Sequence, residues 1–299
     1  MSILFFDDAS RESLLPLSFT RPVADFRIGI LTIAEKWAKR LSATSYSFVT
    51  EGYLQEKFPM DLADDNLFIN GSICPDEELG KVIKSLQVGE SLVAEQVLIA
   101  VKLSEKEAQS FDYTNFSSYK SIAYTGSFIK ITYPEDLFSH NDAELRKDFI
   151  LLTTGRTSAK ISASNTILGN NFFAEEGASA ECATFNTLEG PIYLAKNSQV
   201  WEGSHIRGSF ALGEYSQVKM GAKINGIGSS VLEITGVEKM EVSRQTSSKN
   251  KFKYGFSMEF ASNEIYQAYS IHPQHDAFVK DFFIPLVEDF MEIDTEKLM

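Results

Sequence analysis

Apolar and polar positions change rhythm once along this chain, near residue 155. Before that point, short β-rich runs alternate with longer amphipathic ones, the pattern of an α/β layered domain. "ILFF" at 3–6, "SYSFVT" at 45–50, "NLFIN" at 66–70 and "VLIAVKL" at 97–103 predict strands. Between them, "GILTIAEKWAKRL" at 29–41 places Ile30, Ile33, Trp37 and Leu41 on one helical face. "PDEELGKVIKSL" at 75–86 predicts a helix with acidic residues at its positive end. "PEDLFSHNDAELRKDFILL" at 134–152 predicts helical material closing this half, with Asn141 as a cap ahead of Ala143.

After "TTGRTSAK" the period becomes six: Cys182, Leu188, Leu194, Val200, Ile206, Leu212, Val218 and Ile224 fall on one phase. Ser198, Ser204, Ser216 and Ala222 stand two positions earlier, with Phe210 the exception, and small residues there suit tight corners. Neither an α-helix nor a strand of period two has this spacing. It predicts a solenoid of three flat strands per coil, each sending one side chain into a narrow core. Ile161, Ile167 and Phe173 are expected in a first coil, with three extra residues before the later register begins. The period fails at Ser230 and Gly236, and the polar, basic "EKMEVSRQTSSKNKFKYG" at 238–255 lacks it. Phe278, Phe282, Leu286 and Phe290 then share a helical face interrupted by Pro285, which suits a cap on an open solenoid end. The expected division is 1–155, 156–228 and a divergent, capping 229–299.

Composition narrows the function. The 299 residues are 43% hydrophobic and 23% charged, the profile of a globular protein. A net charge of −13 argues against a nucleic-acid partner, which needs a basic surface, but permits a small anion held by a few arginines. Cys74 and Cys182 have no metal-type or disulfide-scaffold spacing, and a reducing compartment is expected. The start "MSILFFDDAS" lacks signal-peptide features, and no apolar run approaches the length of a membrane span, so a cytoplasmic protein without a membrane partner is expected.

The candidate chemistry lies in the loop after the first predicted strand. Arg11 and Arg21 flank "LLPLSFTRP", and an arginine-bearing loop at a strand end commonly faces phosphate. The bland alternative is ion pairing with Asp7, Asp8 or Asp25. "RESLLPLSFTRPV" resembles the sugar-1-phosphate nucleotidyltransferase signature. Longer phrases extend the likeness: "FFDD", "LLPLSFTRPVADFRIGILTIAEKW", "NLFINGSICPDEEL", "DFILLTTGR" and "GPIYLAKNSQVWEGSHIRGSFALGEYSQVKMGAKI". In these the chain is similar to a bacterial family related to the bifunctional UDP-N-acetylglucosamine diphosphorylase/glucosamine-1-phosphate N-acetyltransferase.

The resemblance implies an α/β nucleotidyltransferase-like, Rossmann-like domain followed by a left-handed parallel β-helix of hexapeptide repeats, with a C-terminal helical segment. It implies a nucleoside triphosphate and a sugar phosphate as partners, Mg²⁺ as cofactor, and a homo-oligomer, a trimer, built through the β-helix. Arg11, Thr20 and Arg21 fall on phosphate-binding positions, and Asp7 and Asp8 are the candidates for metal. Three departures accompany these matches. "FDDAS" replaces the glycine-rich turn, Val23 stands where a lysine should follow Pro22, and "NLFINGSI" lacks the Gly-Asp metal site. They motivate an alternative, a non-catalytic relative that binds a nucleotide or sugar phosphate. A further alternative is an acetyl-CoA-dependent acyltransferase, with His205 and Arg207 beside Trp201 on the solenoid exterior. His275-Asp276 faintly echoes the acyltransferases' His-Asp coil, although the segment reads as a helix start.

Overall fold

The opening apolar run forms the strand Ser2–Phe6, buried on both faces: Ile3 and Phe5 enter one core, Leu4 and Phe6 the other. Burial on both sides explains why the run is continuous rather than alternating. The structure, a computed structural model, describes residues 2–225, 237–244, 254–260 and 262–271. Two units separate by contact, Met1–Ile227 and Gly228–Met299.

In the first unit, Ser2–Phe6 lies in a six-stranded sheet between two parallel neighbours, Ser47–Val49 and Asp65–Asn70. Val97–Ser104 and Glu90–Ala94 follow as antiparallel strands, and Lys120–Ala123 runs parallel to Glu90–Ala94. The chain leaves the first strand for one side and then crosses to the other. The order therefore reverses at the carboxyl ends of Ser2–Phe6 and Asp65–Asn70, where an open α/β sheet leaves a crevice.

Helix Ile33–Leu41 starts later than the hydrophobic pattern suggests. Leu31–Thr32 pairs with Arg27–Ile28 as a short ribbon, and Thr32 caps the helix through a reciprocal box with Glu35. Trp37 is fully buried and donates Nε1–H to the Ile73 carbonyl at 2.8 Å. Helix Glu77–Ser85 is capped by Asp76, whose Oδ1 accepts from Leu79 N at 2.8 Å. The 134–152 stretch is two helices, Pro134–Ser139 and Asn141–Thr153. Asn141 is not the expected cap: it is the first helical residue, and its Oδ1 accepts from Gly29 N at 2.6 Å. Gly29 has φ +77°, and a Cβ there would lie 2.8 Å from Asp148 Oδ2 and from backbone atoms of Glu144 and Leu145. Only glycine fits that crossing without strain.

A buried charge cluster ties these helices together. Lys36 Nζ, on a side chain 1% exposed, lies 2.6 Å from Asp148 Oδ2 and 3.0 Å from Glu144 Oε2. Lys147 adds a second cation 2.8 Å from Glu144 Oε1, so the four charges balance. Asp148 Oδ2 also accepts from Ile30 N and Leu31 N. Burial pushes the Asp148 carboxyl above its ordinary range, against the opposing pull of Lys36.

From residue 166 the chain forms three stacks of short strands, every pairing parallel. The ladders run 166–168, 184–186, 205–207, 223–225; then 172–174, 192–194, 210–212; then 179–180, 199–200, 217–218. Inward columns are Phe185, Ile206, Ile224; Ala174, Leu194, Leu212; and Ala180, Val200, Val218, whereas Ile167, in register with Phe185 and expected inside the first coil, is 40% exposed. The six-residue step thus holds from Leu194 through Ile224 but not at Cys182 and Leu188, which are exposed, Leu188 at 71%. The extra residues lie in the loop between Phe185 and Leu194, where Leu188 and Glu189 are exposed while Gly190 and Pro191 stay buried. Phe173 also leaves the expected interior. It stacks on Tyr193 at 5.9 Å, in a small core with Leu31 and Leu152, which joins this stack to the α/β layers.

The second unit's described residues contain an antiparallel hairpin, Val237–Arg244 with Tyr254–Phe260, and helix Asn263–Ser270. Phe260 packs its ring 5.3 Å from Tyr266 and 5.0 Å from Tyr269. The helix expected over 278–290 and the His275-Asp276 pair lie outside the described residues. Among the described residues, no helix is long and apolar enough to cross a membrane.

The Lys36 cluster sets a stability prediction. Lys36→Met leaves two buried carboxylates with one half-exposed partner, and should cost about 3–5 kcal/mol, read as a lower urea midpoint. Adding Glu144→Gln and Asp148→Asn should recover part of that loss, because the uncompensated charges are then gone.

Candidate functional site

Asp7 and Asp8 follow the first strand, and successive residues at a strand end point to opposite sides. Asp7 turns into the returning loop. Its Oδ1 accepts from Val23 N at 2.8 Å, and Oδ2 accepts from Arg11 Nη1 at 2.9 Å and from the Thr50 hydroxyl. Arg11, with its side chain 9% exposed, spends both terminal nitrogens inside the loop. Nη1 also donates to the Arg21 carbonyl at 3.2 Å, and Nη2 donates to the Ser18 carbonyl and to Tyr53 Oη at 3.0 Å. Burial raises the Asp7 carboxyl, and the bonds from Thr50 and Val23 and the charge of Arg11 pull it back only in part.

Arg21 and Thr20 are exposed, and Arg21 lies 3.8 Å from Asp25. The arginines thus make the ion pairs named above as the bland alternative. None of Arg11, Thr20 and Arg21 lines the cavity beyond the first strand.

Asp8 does line it. The cavity, about 300 Å³, is bounded by Phe6, Asp8, Ser10, Asn70, Tyr113 and Lys130, together with Ser13, Gln96, Val97, Leu98 and Thr132. It sits where the strand order reverses, the expected place for a ligand in such a sheet. Asp8 Oδ1 accepts from Ser10 N at 2.9 Å. Oδ2 accepts from Asn70 Nδ2 at 2.9 Å and faces Lys130 Nζ at 3.1 Å. Asn70, 1% exposed, also donates to the Leu98 carbonyl and accepts from Ser72 N and Oγ. Burial would raise Asp8, but Lys130 and the bonds from Asn70 and Ser10 outweigh it and hold the carboxyl below its ordinary value.

Lys130 is the residue that sequence reasoning missed. It arrives on the short strand Ile129–Lys130, paired antiparallel with Ile73–Cys74, and Ile131 N donates to the Ser72 carbonyl at 2.7 Å. A lysine 120 residues from Ser10 is brought onto that serine's hydroxyl by this pairing. Asn70 was visible only as the missing Gly-Asp. In the fold it stands at the end of its strand and donates to the aspartate of the neighbouring one.

The donor set does not fit Mg²⁺. Asp7 is used by the loop, both oxygens of Asp8 have partners, and an ammonium already faces Oδ2. Among the described residues, no group of three or more His, Cys, Asp or Glu is placed to hold a metal ion. A hard cation needs several oxygens in near-octahedral array.

On the three-ladder stack, His205 and Arg207 line a second groove of about 360 Å³ with Thr184, Asn186, Lys223 and Leu168. Thr184, His205 and Lys223 sit in register along one outer column. Arg207 pairs with Glu189 at 2.9 Å, and the Lys219 ammonium lies 4.1 Å above the Trp201 ring.

A mixed sheet with a cavity at its order reversal defines an α/β protein of the kind that holds its ligands beyond the strand ends. Residues 3–157 match the model of the sugar nucleotidyl transferase family, over half the chain, and the chain belongs to that family. The family implies nucleotide and sugar phosphate substrates. Residues 214–297 match the stress responsive A/B barrel domain family. No curated protein matches the chain.

The loop and the cavity set three predictions. Arg11→Ala strands a buried carboxylate and should lower stability by about 3–5 kcal/mol, with Arg11→Lys unable to restore the fork of bonds. Arg21→Ala, at an exposed pair, should change stability by about 0–1 kcal/mol, both variants being read by their urea midpoints. A carboxyl held low in the fold stabilises above its ordinary value of 3.8, and that contribution is lost as pH falls through the lowered value. The stability difference between the wild type and Asp8→Asn should therefore be level between about pH 5 and 8, and shrink on further acidification.

Proposed function

We propose that the cavity beyond the first strand is where a nucleoside triphosphate meets a sugar 1-phosphate, and that the chemistry is nucleotidyl transfer in UDP-N-acetylglucosamine-type metabolism. The observation that carries this reading is the convergence of Asp8, Asn70 and Lys130 on the cavity at the order reversal. Nucleotidyl transfer needs positive charge placed in advance beside the reacting phosphate. The Lys130 ammonium supplies it, and the carboxylate and amide around it fix its direction. Tyr113, stacked 6.0 Å from Phe6, forms with Val97 and Leu98 an apolar wall that seats a flat ring and limits water. Arg11 is a positioning residue: it holds the loop that presents Asp8.

Residues 156–228 fit this reading as a left-handed parallel β-helix that assembles the chain into a trimer. Support comes from the three parallel ladders and their apolar inward columns. The segment from 229 onward is then a module of its own, in line with the unit boundary after Ile227. A cytosolic setting is supported by two unpaired cysteines, Cys74 and Cys182. The second reading, a binding protein without turnover, is favoured by one observation: no glycine stands between Phe6 and Leu17 to bring backbone amides onto a phosphate. An acetyl-CoA-dependent role would fall to the groove of His205 and Arg207, where Arg207 is already paired.

The test is pyrophosphate release from nucleoside triphosphates paired with N-acetylglucosamine 1-phosphate and other sugar 1-phosphates, in Mg²⁺ and separately in EDTA. Turnover is expected, with Lys130→Ala lowering kcat/KM by about 100-fold. A ligand-induced thermal shift without turnover selects the binding protein. Neither turnover nor a shift, in a chain of native circular dichroism, overturns both readings.

A further inference from the structure

The cavity contains one carboxylate and one ammonium, and their geometry fixes how they divide the work. Lys130 Nζ carries three protons. One points at Asp8 Oδ2, 3.1 Å away, and a second at Ser10 Oγ. The third has no protein acceptor among the described residues, and Lys130 lines the cavity with its side chain 20% exposed. The ammonium is therefore held on two sides and open on the third, towards the space a ligand would fill.

Its position is set by backbone. Lys130 pairs with Ile73, three residues beyond Asn70, so the strand end that supplies the amide also anchors the strand that supplies the cation. Asn70 in turn is locked by Leu98 and Ser72. This polar network closes from four chain segments, 8–10, 70–73, 98 and 130, and sets the ammonium between Asp8 and the cavity. A second cation at Oδ2 would lie within about 4 Å of Nζ, a costly like-charge contact in a partly buried site.

We propose that Lys130 is the resident cation of this cavity: its ammonium, seated on Asp8 and Ser10, binds the ligand's phosphate directly, so that phosphate binding here does not require a divalent metal. The missing glycine turn and the Val23 substitution are then compatible with a working site, because the positive charge comes from the strand 129–130 instead of the loop. Asp8 serves to orient Lys130 rather than to ligate metal. The inference rests on the reading of the cavity as a phosphate site.

Calorimetric titration of the full chain with inorganic pyrophosphate, once in EDTA and once in Mg²⁺, tests it. Expected are dissociation constants that agree within about threefold between the two buffers, and a rise of about 10- to 100-fold in EDTA for Lys130→Ala. Lys130→Gln, which keeps a hydrogen-bond donor without the charge, should weaken binding similarly and guards against a folding defect in the alanine variant. Electron paramagnetic resonance with Mn²⁺ adds a readout independent of the ligand. The wild type should leave the ion free, and a protein-bound Mn²⁺ signal that Asp8→Asn abolishes overturns the proposal. Pyrophosphate binding that appears only with Mg²⁺, or that survives both lysine substitutions, overturns the proposal and leaves the cavity's assignment standing. No binding of pyrophosphate or nucleoside triphosphates in either buffer overturns that assignment, and the proposal with it.

Discussion

The buried ion pair between Asp7 and Arg11 is the contact on which the site depends. It closes the loop back over the end of the first strand, so that Leu14, Val23 and Ala24 drop into the core. With Asp7 drawn inward, the next residue is forced the other way, and Asp8 emerges at the sheet's order reversal. Removing water from a carboxylate is costly, and here the guanidinium and a backbone amide offset that cost together. Loop closure, core burial and presentation of Asp8 are thus one arrangement rather than three.

The same economy of charge recurs across a chain of net −13. Three of the cations seated on buried carboxylates among the described residues shape the fold and the site. Arg11 holds the loop, Lys36 binds helix Ile33–Leu41 to Asn141–Thr153, and Lys130 enters the cavity. Of these three, Lys130 is the one that lines the cavity. Arg21, exposed and 3.8 Å from its partner, contributes little by comparison, because water screens it.

Strands and helices of the α/β half were legible because their signals are local: continuous apolar runs for a sheet covered on both faces, and an apolar helical face or an acidic first turn in the helices. The six-residue step was legible from Leu194 onward, where each coil repeats without interruption. It misled at Cys182, Leu188 and Phe173. An outward loop had shifted the phase there, and helix Asn141–Thr153 had given an outward-facing aromatic something to pack against. Periodicity reports that a side chain is buried but not which neighbour buries it. Asn141 looked like a cap for a similar reason, since its residue type suits one, yet its amide was needed by a backbone group 112 residues away.

The sequence by itself determined which segments could be strands and helices, where the rhythm changed, and that a polar loop with two arginines and two aspartates follows the first strand. All of these depend on neighbours a few residues apart. Tertiary structure decided what those charges do. Arg11 and Asp7 became scaffold, and Asp8 became part of a cavity completed by Asn70 and Lys130, which lie 62 and 122 positions downstream of it in the chain. Sheet order and a two-residue strand pairing bring them together, and no local pattern encodes either.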